Sequence, residues 1–260
     1  MKTTPLYAGI DVGASRTKVA VIDSCKNLVG YAVEKSGTDF LATAKKCFDL
    51  SLAASKSSKN NVSRTISTGY GRKNVSFSDE TKTEISCHGK GAFHYFPRQI
   101  SIIDIGGQDN KIIKLDKDGR KLNFVMNRKC AAGTGAFLEE MSARLDIPLE
   151  NMDSLARQSI DMVELGSYCT VFSATEVLGK IRQGEKVPDI IKGLFLSVIK
   201  RVLEMDSLGD NVVMTGGVVA YNPFLVKMTE EIIGRKILLP EHPQLAGAIG
   251  AALYAIETTP

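Results

Sequence analysis

The sequence predicts an α/β protein built around a duplicated strand–turn–strand unit. Residues 10–23, read as IDVGASRTKVAVID, align without a gap with residues 103–116, read as IDIGGQDNKIIKLD. Segments with strand and helix periodicity alternate along the chain, which is typical of α/β proteins. At 260 residues the chain is long enough for two lobes. Two ordinary hairpins with Asp-Gly turns are the alternative, but the shared Asp, Gly and Lys positions favour duplication.

Apolar periodicity and turn residues predict the other elements in order. The predicted strands are residues 6–13, 17–23, 62–68, a pair beginning at 100, 121–126, 211–215 and 235–239. The predicted helices are residues 39–55, 84–95, 135–145, 149–157, a helix beginning near Ser173, 187–205, 222–233 and a small-residue helix at 243–252.

Composition excludes several function classes. The formal net charge is +4 and the basic residues are dispersed, so nucleic-acid binding is not indicated. No apolar run approaches the roughly 18 residues of a membrane helix, and the polar N-terminus does not resemble a signal peptide. We therefore expect a cytoplasmic protein without membrane association. Because the five cysteines include no CxxC or CxxxC pair, a metal site must combine distant cysteines or more than one chain.

The two turns of the duplicated unit have the chemistry of a phosphate site. A glycine lies two residues after each of Asp11 and Asp104. Glycine turns expose backbone N–H groups that can bind phosphates. A carboxylate at the end of a strand is suited to hydrated Mg²⁺, which is usually bound through one or two carboxylates, phosphates and water. Two such turns facing each other would hold a triphosphate from both sides.

Residues 127–135, read as NRKCAAGTG, place Cys130 just before a predicted helix. A helix N-terminus favours negative charge, so this position suits a thiolate, a phosphate or an anionic cluster. Cys169 repeats the arrangement, and Ser173 and Glu176 have the spacing of a capping box. A redox centre, a nucleotide or both are therefore expected. The adjacent Cys87 and His88 point in different directions on a helix and are interpreted as structural.

These turns, with Gly216-Gly217 and Gly247-Ala248, resemble the actin/Hsp70/sugar-kinase superfamily. The segments CAAGTG (130–135), CTVF (169–172), IDIGGQD (103–109), TGYGR (68–72) and SCH (86–88) resemble the activators of 2-hydroxyacyl-CoA dehydratases and the related ATPase subunits of benzoyl-CoA reductases. The resemblance extends over residues 7–256. It implies a two-lobed fold of duplicated ribonuclease-H-like domains, with residues 1–97 and 244–260 in one lobe and 98–243 in the other.

The resemblance implies a site for ATP or ADP and Mg²⁺. Asp11 and Asp104 would hold Mg²⁺ through water. By analogy with glutamines that orient the attacking water in other nucleotidases, Gln108 or Asp109 would have that role here, and with Asp104 they are the expected catalytic residues. The nucleotide would be bound by Gly13, Ala14, Ser15, Lys18, Gly106, Gly107, Gln108, Gly133, Thr134, Gly135, Gly216, Gly217, Val218, Gln244, Gly247 and Ala248.

The resemblance also implies a homodimer that shares one [4Fe-4S] cluster, with Cys130 and Cys169 from each chain as ligands. The expected activity is ATP hydrolysis coupled to electron transfer. The electron would come from a ferredoxin or flavodoxin and pass to an iron–sulfur dehydratase or reductase component, or to a double-cubane cluster protein. Cys25, Cys47 and Cys87 are expected to be structural.

Two other functions remain open from the sequence. One is a small-molecule kinase of the same fold, acting on a sugar or an acyl group, although the short chain leaves little room for a sugar-binding insertion. The other is an ATP-dependent regulator without redox chemistry. The chain departs from the activators at Arg16, where a small residue is more usual, and at residues 56–59. These departures leave the partner enzyme and its acyl substrate undefined.

Overall fold

The computed structural model describes residues 5–127, 130–166 and 169–259, which form two five-stranded sheets and their flanking helices. The strands are β1 Leu6–Val12, β2 Arg16–Asp23, β3 Leu28–Lys35, β4 Val62–Thr68, β5 Glu80–Thr81, β6 Ile100–Ile105, β7 Asn110–Leu115, β8 Lys121–Asn127, β9 Val212–Thr215 and β10 Ile237–Leu238. The helices are α1 Phe40–Ala54, α2 Glu84–Tyr95, α3 Gly135–Arg144, α4 Met152–Ala156, α5 Thr170–Arg182, α6 Val187–Leu203, α7 Gly217–Tyr221, α8 Pro223–Ile233 and α9 Ala246–Glu257.

The two sheets have the same strand order. The first is β3-β2-β1-β4-β5 and the second, read in the same direction, is β8-β7-β6-β9-β10. In the first sheet β1 pairs antiparallel with β2 and parallel with β4, and in the second β6 pairs parallel with β9. The duplication seen in the strand–turn–strand sequences therefore extends to each whole sheet.

Contacts within the chain define two compact units. The first contains the described residues up to Ile100, Leu115–Leu122 and the described residues from Leu245 onward. The second contains Ser101–Lys114 and the described residues of Asn123–Gln244. Each unit has its own hydrophobic core.

In the first unit every residue of β1 is buried. Because side chains alternate along a strand, both faces of β1 are therefore covered. Leu6, Ala8 and Ile10 pack with Phe48 of α1, whereas Tyr7 packs with the core around α9. Gly9 lies against α9, where the backbone of Ala248 and Ala252 occupies the place of a side chain. The predicted close approach of the small-residue helix is thus an approach to the central strand that carries Asp11.

In the second unit, α6 provides most of the core beneath the sheet. Ile190, Leu194, Phe195 and Val198 are completely buried, and they belong to the same cluster as Ile103 of β6 and residues of α3 and α5. The carboxyl end of β6 and the first turns of α3 therefore rest on one continuous core.

Most predicted elements are present, and the differences have local causes. Strand β4 and helix α2 have their predicted bounds, while β3 and the two-residue β5 were not predicted. Much of β3 is exposed or half-buried, so its apolar pattern is weak. The predicted helix at 222–233 begins at Pro223, and a separate short helix, α7, precedes it.

Helix α5 differs most from its prediction. It begins at Thr170 rather than near Ser173, and Cys169 is its N-cap residue. The proposed capping box is wrong because the N–H of Ser173 donates to the carbonyl of Cys169 inside the helix. The carboxylate of Glu176 instead accepts the N–H of Gly166 at 2.8 Å. Cys169 therefore lies directly at the helix terminus.

Within the part of the chain described here, none of the helices has both the length and the apolar character needed to cross a bilayer.

Replacing Gly9 with Ala tests the packing of α9 on β1. The new methyl group would overlap the backbone of α9 and lie 2.9 Å from the Ala251 Cβ, so we expect a loss of about 1–3 kcal/mol in unfolding free energy. Gly179→Ala in α5 is the control. Its methyl group meets nothing within 4 Å, and we expect a gain of about 0.5–1 kcal/mol. Urea unfolding measures both, and equal effects would contradict this packing.

Candidate functional site

The first glycine turn, residues 13–16, joins β1 to β2 and is held in a defined shape. The Gly13 N–H donates to the Arg16 carbonyl at 3.1 Å, which closes the turn. From the end of β3, Ser36 braces it twice, because its Oγ donates to the Gly13 carbonyl at 2.6 Å and its N–H donates to the Ser15 carbonyl at 3.1 Å. Gly13, Ala14 and Ser15 are half-buried.

Asp11, at the end of β1, is a buried carboxylate with one oxygen left over. Its Oδ2 accepts from Lys18 Nζ at 3.2 Å, whereas its Oδ1 has no hydrogen-bond partner among the described residues. Glycines surround the carboxylate, because a Cβ at Gly69 would lie 2.5 Å from Oδ1 and one at Gly247 would lie 3.0 Å from Oδ2. A buried oxygen without a donor is suited to a water molecule of hydrated Mg²⁺.

Asp104, at the equivalent position in β6, is more completely paired. Its Oδ1 accepts from Thr215 Oγ1 at 2.7 Å and its Oδ2 accepts from Lys111 Nζ at 3.1 Å. Lys111 is 1% exposed and also donates to Asp109 Oδ1 at 2.7 Å. The second glycine turn, residues 106–109, is closed by the Gly106 N–H, which donates to the Asp109 carbonyl at 2.9 Å.

Each unit therefore places an Asp, a Lys and a Thr around one strand end. Asp11 pairs in register with Thr68, and Asp104 pairs in register with Thr215. A glycine with positive φ follows each threonine, Gly69 at +86° and Gly216 at +103°. Lys111, Thr68 and Thr215 were not among the predicted site residues. Two features of the sequence could have identified them: Lys18 aligns with Lys111, and a Thr-Gly pair ends a strand in each unit.

The second glycine turn is hydrogen-bonded to the start of α3. The Gly135 N–H donates to the Gly106 carbonyl at 2.9 Å, and the Ala136 N–H donates to the Gly107 carbonyl at 2.7 Å. The side chain of Asn110 donates to the Gly133 carbonyl at 2.8 Å. We call these three contacts the turn–helix junction. It brings the predicted residues Gly133, Thr134 and Gly135 onto Gly106 and Gly107.

The remaining predicted nucleotide residues divide between the two units. Gly216 donates its N–H to the Pro243 carbonyl at 3.0 Å, beside Gln244. Val218 lies 3.3 Å from where a Cβ at Gly135 would stand, so α7 borders the turn–helix junction. In the first unit, Gly247 and Ala248 lie in α9, and a Cβ at Gly247 would also meet His88 Nε2 at 2.8 Å. The sequence interpretation left this histidine out of the site.

Cys130 and Cys169 precede two helices of the second unit, α3 and α5. Cys130 is half-buried and shortly precedes Thr134, the N-cap residue of α3, while Cys169 is exposed and is the N-cap residue of α5. Helices α3 and α5 are in contact. Arg128 and Lys129, in the motif around Cys130, and Tyr168, beside Cys169, lie outside the described residues.

Cys47 and Cys87 differ from these two cysteines. Both are completely buried, and burial raises the pKa of each thiol to about 12. The neighbouring charge of Glu34 raises the pKa of Cys47 further, and that of Asp11 acts in the same way on Cys87. Both thiols are therefore neutral at physiological pH, which suits a structural role.

Among the described residues, no three His, Cys, Asp or Glu side chains form a group able to hold a metal ion. The thiols of Cys130 and Cys169 are the soft donors that iron–sulfur clusters use, and Asp11 offers the hard oxygen that Mg²⁺ prefers. Both groups therefore fit the residues present.

A family model described as BadF/BadG/BcrA/BcrD ATPase family matches residues 8–255. The chain belongs to this family. The activator of lactoyl-CoA dehydratase from Anaerotignum propionicum is 41% identical over 252 residues, which cover 96% of each protein. The family is one of ATPases, which agrees with the nucleotide site expected from the glycine turns.

Solved structures of the family share the whole fold. The (R)-2-hydroxyglutaryl-CoA dehydratase component A of Acidaminococcus fermentans has a TM-score of 0.93 at 35% identity and covers 98% of both chains. The activator of the 2-hydroxyisocaproyl-CoA dehydratase from Clostridium difficile, with bound ADPNP, has a TM-score of 0.91 at 37% identity, covering 97% of this chain and 94% of that one.

A ROK family glucokinase from Streptomyces griseus matches over 97% of this chain and 99% of its own, with a TM-score of 0.59 at 12% identity, which shows the fold alone. The predicted α/β fold of the actin/Hsp70/sugar-kinase type is thus confirmed.

Removing the buried lysine tests the second Asp–Lys–Thr group. In Lys111→Met the Asp104 and Asp109 carboxylates lose their cation, so we expect a loss of about 3–5 kcal/mol in unfolding free energy. Lys18→Met is the matched control. Lys18 is 18% exposed and pairs with one carboxylate, whereas Lys111 is buried and pairs with two, so the loss in Lys18→Met should be clearly smaller. Equal losses of unfolding free energy in the two variants would contradict the stronger pairing of Lys111.

Thiol alkylation of the unliganded folded protein at pH 8 tests the assignment of the buried cysteines. Cys47 and Cys87 should react far more slowly than the exposed Cys25, because their thiols are buried and protonated. Mass spectrometry of the digested protein gives the three rates in one experiment. Labelling of Cys87 as fast as that of Cys25 would show that its pocket is open.

Proposed function

We propose that this protein is an ATP-dependent one-electron donor that activates an iron–sulfur partner enzyme. It would hydrolyse ATP to drive low-potential electron transfer to a 2-hydroxyacyl-CoA dehydratase, a related reductase component or a double-cubane cluster protein. The turn–helix junction carries this proposal. It connects a phosphate-type glycine turn to the segment that contains Cys130 by direct hydrogen bonds.

The nucleotide would lie on the glycine turns. In the first unit, the phosphate contacts are assigned to Gly13, Ala14, Ser15 and Lys18. In the second unit they are assigned to Gly106, Gly107 and Gln108, with the adenosine beside Gly216, Gly217, Val218 and Gln244. Gly133, Thr134 and Gly135, and Gly247 and Ala248 of α9, complete the proposed set. Gly133 and Gly216 have positive φ, a backbone conformation that residues with a side chain rarely adopt, and this supports a role for glycine at both positions.

Asp11 is the stronger candidate for holding hydrated Mg²⁺, because its Oδ1 is buried and lacks a donor among the described residues. Asp104 would also act through water, while Lys111 and Thr215 hold its orientation. Asp109 is already bound to Lys111, whereas Gln108 is exposed at the tip of its turn. We therefore assign the orientation of the attacking water to Gln108, with Asp109 positioning Lys111.

Cys130 and Cys169 would hold a [4Fe-4S] cluster. Since a four-thiolate cluster needs two more ligands, the same two cysteines of a second copy would complete it in a homodimer. The bound cluster supplies one-electron redox chemistry at low potential. The partial positive charge at the starts of α3 and α5 would stabilise the added negative charge, which makes the position of these helices part of the redox site.

Coupling follows from the way the phosphate turn and Cys130 are connected. Bound phosphates would hold the second glycine turn, and the turn–helix junction would pass this restraint to α3. ATP shifts such an equilibrium only if it binds one arrangement of the segment better than the other. A ferredoxin or flavodoxin is the proposed source of the electron.

The relatives support the role of an activator. Proteins named as activators of lactoyl-CoA and 2-hydroxyisocaproyl-CoA dehydratases match this chain over more than nine-tenths of its length, and the second is a structure with bound ADPNP. These names refer to different acyl groups, so the acyl substrate belongs to the partner enzyme. We therefore propose no acyl-CoA site in this chain.

Serine substitutions of the cysteines test the proposed cluster ligands. Protein purified without oxygen should be brown and bleach with dithionite, whereas Cys130→Ser and Cys169→Ser should each lose most of the bound iron. Cys25→Ser is the matched control, because that exposed cysteine lies in the other unit and should leave iron content unchanged. ATP hydrolysis is measured in all four proteins.

Two outcomes would contradict the proposal. Full iron content in both Cys130→Ser and Cys169→Ser would reject these residues as ligands. Colourless wild-type protein that releases ADP only when a sugar is added would indicate the small-molecule kinase, and colourless protein with sugar-independent hydrolysis would indicate the regulator.

A further inference from the structure

We propose that Asn110 is a positioning residue that transmits the state of the nucleotide turn to the Cys130 segment. This inference rests on the proposed function and names the side chain through which coupling acts. Asn110 is the first residue of β7 and directly follows the second glycine turn. It does not reach the reaction itself. Its role is to hold Gly133, shortly after Cys130, at a fixed place relative to that turn.

The orientation of the Asn110 amide is determined by its partner. Its Nδ2 donates to the Gly133 carbonyl at 2.8 Å, and a carbonyl oxygen only accepts hydrogen bonds, so the nitrogen must face Gly133. The side chain is 1% exposed. Its Oδ1 is buried and has no hydrogen-bond partner among the described residues. The amide nitrogen is therefore hydrogen-bonded, whereas the amide oxygen has no donor among the described residues.

Gly133 is packed too closely to move independently. Its φ is +81°, and a Cβ there would lie 2.9 Å from the Arg201 Cβ and 3.2 Å from Asn110 Nδ2. The next residue, Thr134, donates its N–H and its hydroxyl to the Ala131 carbonyl, which closes the chain between Cys130 and α3 into a turn. A displacement of Gly133 would therefore carry this turn, and Cys130 directly before it, with it.

The first unit has a residue equivalent to Asn110 but no cysteine in the corresponding segment, so the two units can be compared. Thr17 is the residue that aligns with Asn110, and its hydroxyl bonds to the hydroxyl of Ser36 at 3.0 Å. Ser36 in turn donates to the Gly13 carbonyl, just as Gly135 donates to the aligned carbonyl of Gly106. Both units thus brace the glycine turn against the segment that follows the third strand.

The second unit differs in the length of this brace. The connection from β3 to α1 is short, and a threonine reaches Ser36, whereas the connection from β8 to α3 is longer and contains Cys130. An asparagine spans the added distance to Gly133. The change from threonine to asparagine is therefore associated with the cysteine-containing segment.

The unpaired Oδ1 supports a second arrangement. A buried acceptor without a donor is unfavourable, so a state in which a water molecule or a backbone N–H reaches it gains a hydrogen bond. Nucleotide phosphates cannot serve, because they too are acceptors. Movement of the glycine turn on phosphate binding would expose Asn110 to such a donor, which gives the junction two discrete arrangements.

Nucleotide affinity in the two redox states tests the proposal. By linkage, a nucleotide that shifts the potential of the cluster must bind the oxidised and reduced holoproteins with different affinity. We expect a ratio of about 5–150-fold for the wild-type protein with a non-hydrolysable ATP analogue and Mg²⁺. In Asn110→Thr the ratio should fall to about 1 while the iron content stays at the wild-type level, because threonine is too short to hold Gly133.

The variants are chosen to remain folded. Threonine already occupies the aligned position of the first unit, and Asn110→Ser provides a second variant if Asn110→Thr is unstable. Thr229→Ala is the control. Thr229 is also a buried polar residue of the second unit, its Oγ1 donates to the Leu225 carbonyl at 2.8 Å, and neither residue belongs to the proposed nucleotide set. It should lose similar stability and keep the wild-type affinity ratio.

A second measurement does not depend on the cluster. Hydrogen exchange in residues 130–136 of the iron-free protein should slow when nucleotide binds to the wild type, and this protection should be lost in Asn110→Thr. A wild-type ratio retained in Asn110→Thr would overturn the proposal, and so would a wild-type ratio of about 1 in iron-loaded protein. Wild-type protein that binds no iron would instead reject the proposed function, leaving hydrogen exchange to decide the role of Asn110.

Discussion

The hydrogen bonds from the first residues of α3 to the second glycine turn are the interaction on which the proposed site depends. The first N–H groups of any helix lack partners within the helix and must find acceptors elsewhere. In α3 the N–H groups of Gly135 and Ala136 use the carbonyls of Gly106 and Gly107. The requirement to satisfy a helix terminus therefore attaches the cysteine-containing segment to a turn with the features of a phosphate site.

The two units show how one arrangement diverged after duplication. Both retain a strand-end aspartate, a lysine on the next strand, and a threonine followed by a glycine with positive φ. In the second unit the lysine is fully buried and bridges Asp104 and Asp109. In the first, Lys18 is partly exposed and leaves Oδ1 of Asp11 without a donor among the residues that the structure describes. The same residue types thus form a group in which both carboxylate oxygens are paired in one unit, and a group with one buried unpaired oxygen among the described residues in the other.

The glycine-rich character of the chain reflects these close approaches. Gly247 leaves room for Asp11 and His88 beside α9, and Gly9 leaves room for α9 against β1. A buried carboxylate is costly unless its surroundings provide hydrogen bonds or a cation. The packing of a small-residue helix against the strand that carries Asp11 buries the carboxylate, and the glycines beside it leave room for its two oxygens.

Local patterns were sufficient to predict the main strands and helices, the duplication and the glycine turns, because each depends on periodicity or turn chemistry within a short segment. They also indicated both cysteines near helix starts. They failed for β3, whose half-exposed surface gives little apolar signal, and for the start of α5, where the tertiary structure pairs Glu176 with Gly166 instead of forming the capping box.

The amino-acid sequence by itself determined which chemical groups this protein has and the turns on which they lie. Only the tertiary structure decided which of those groups meet. Asn110 and Gly133 are far apart in the chain, as are Asp104 and Thr215, and nothing in the local sequence specifies either hydrogen bond. Such pairs depend on sheet register and on the packing of α3 against the core, which arise from long-range burial of apolar surface rather than from local preference.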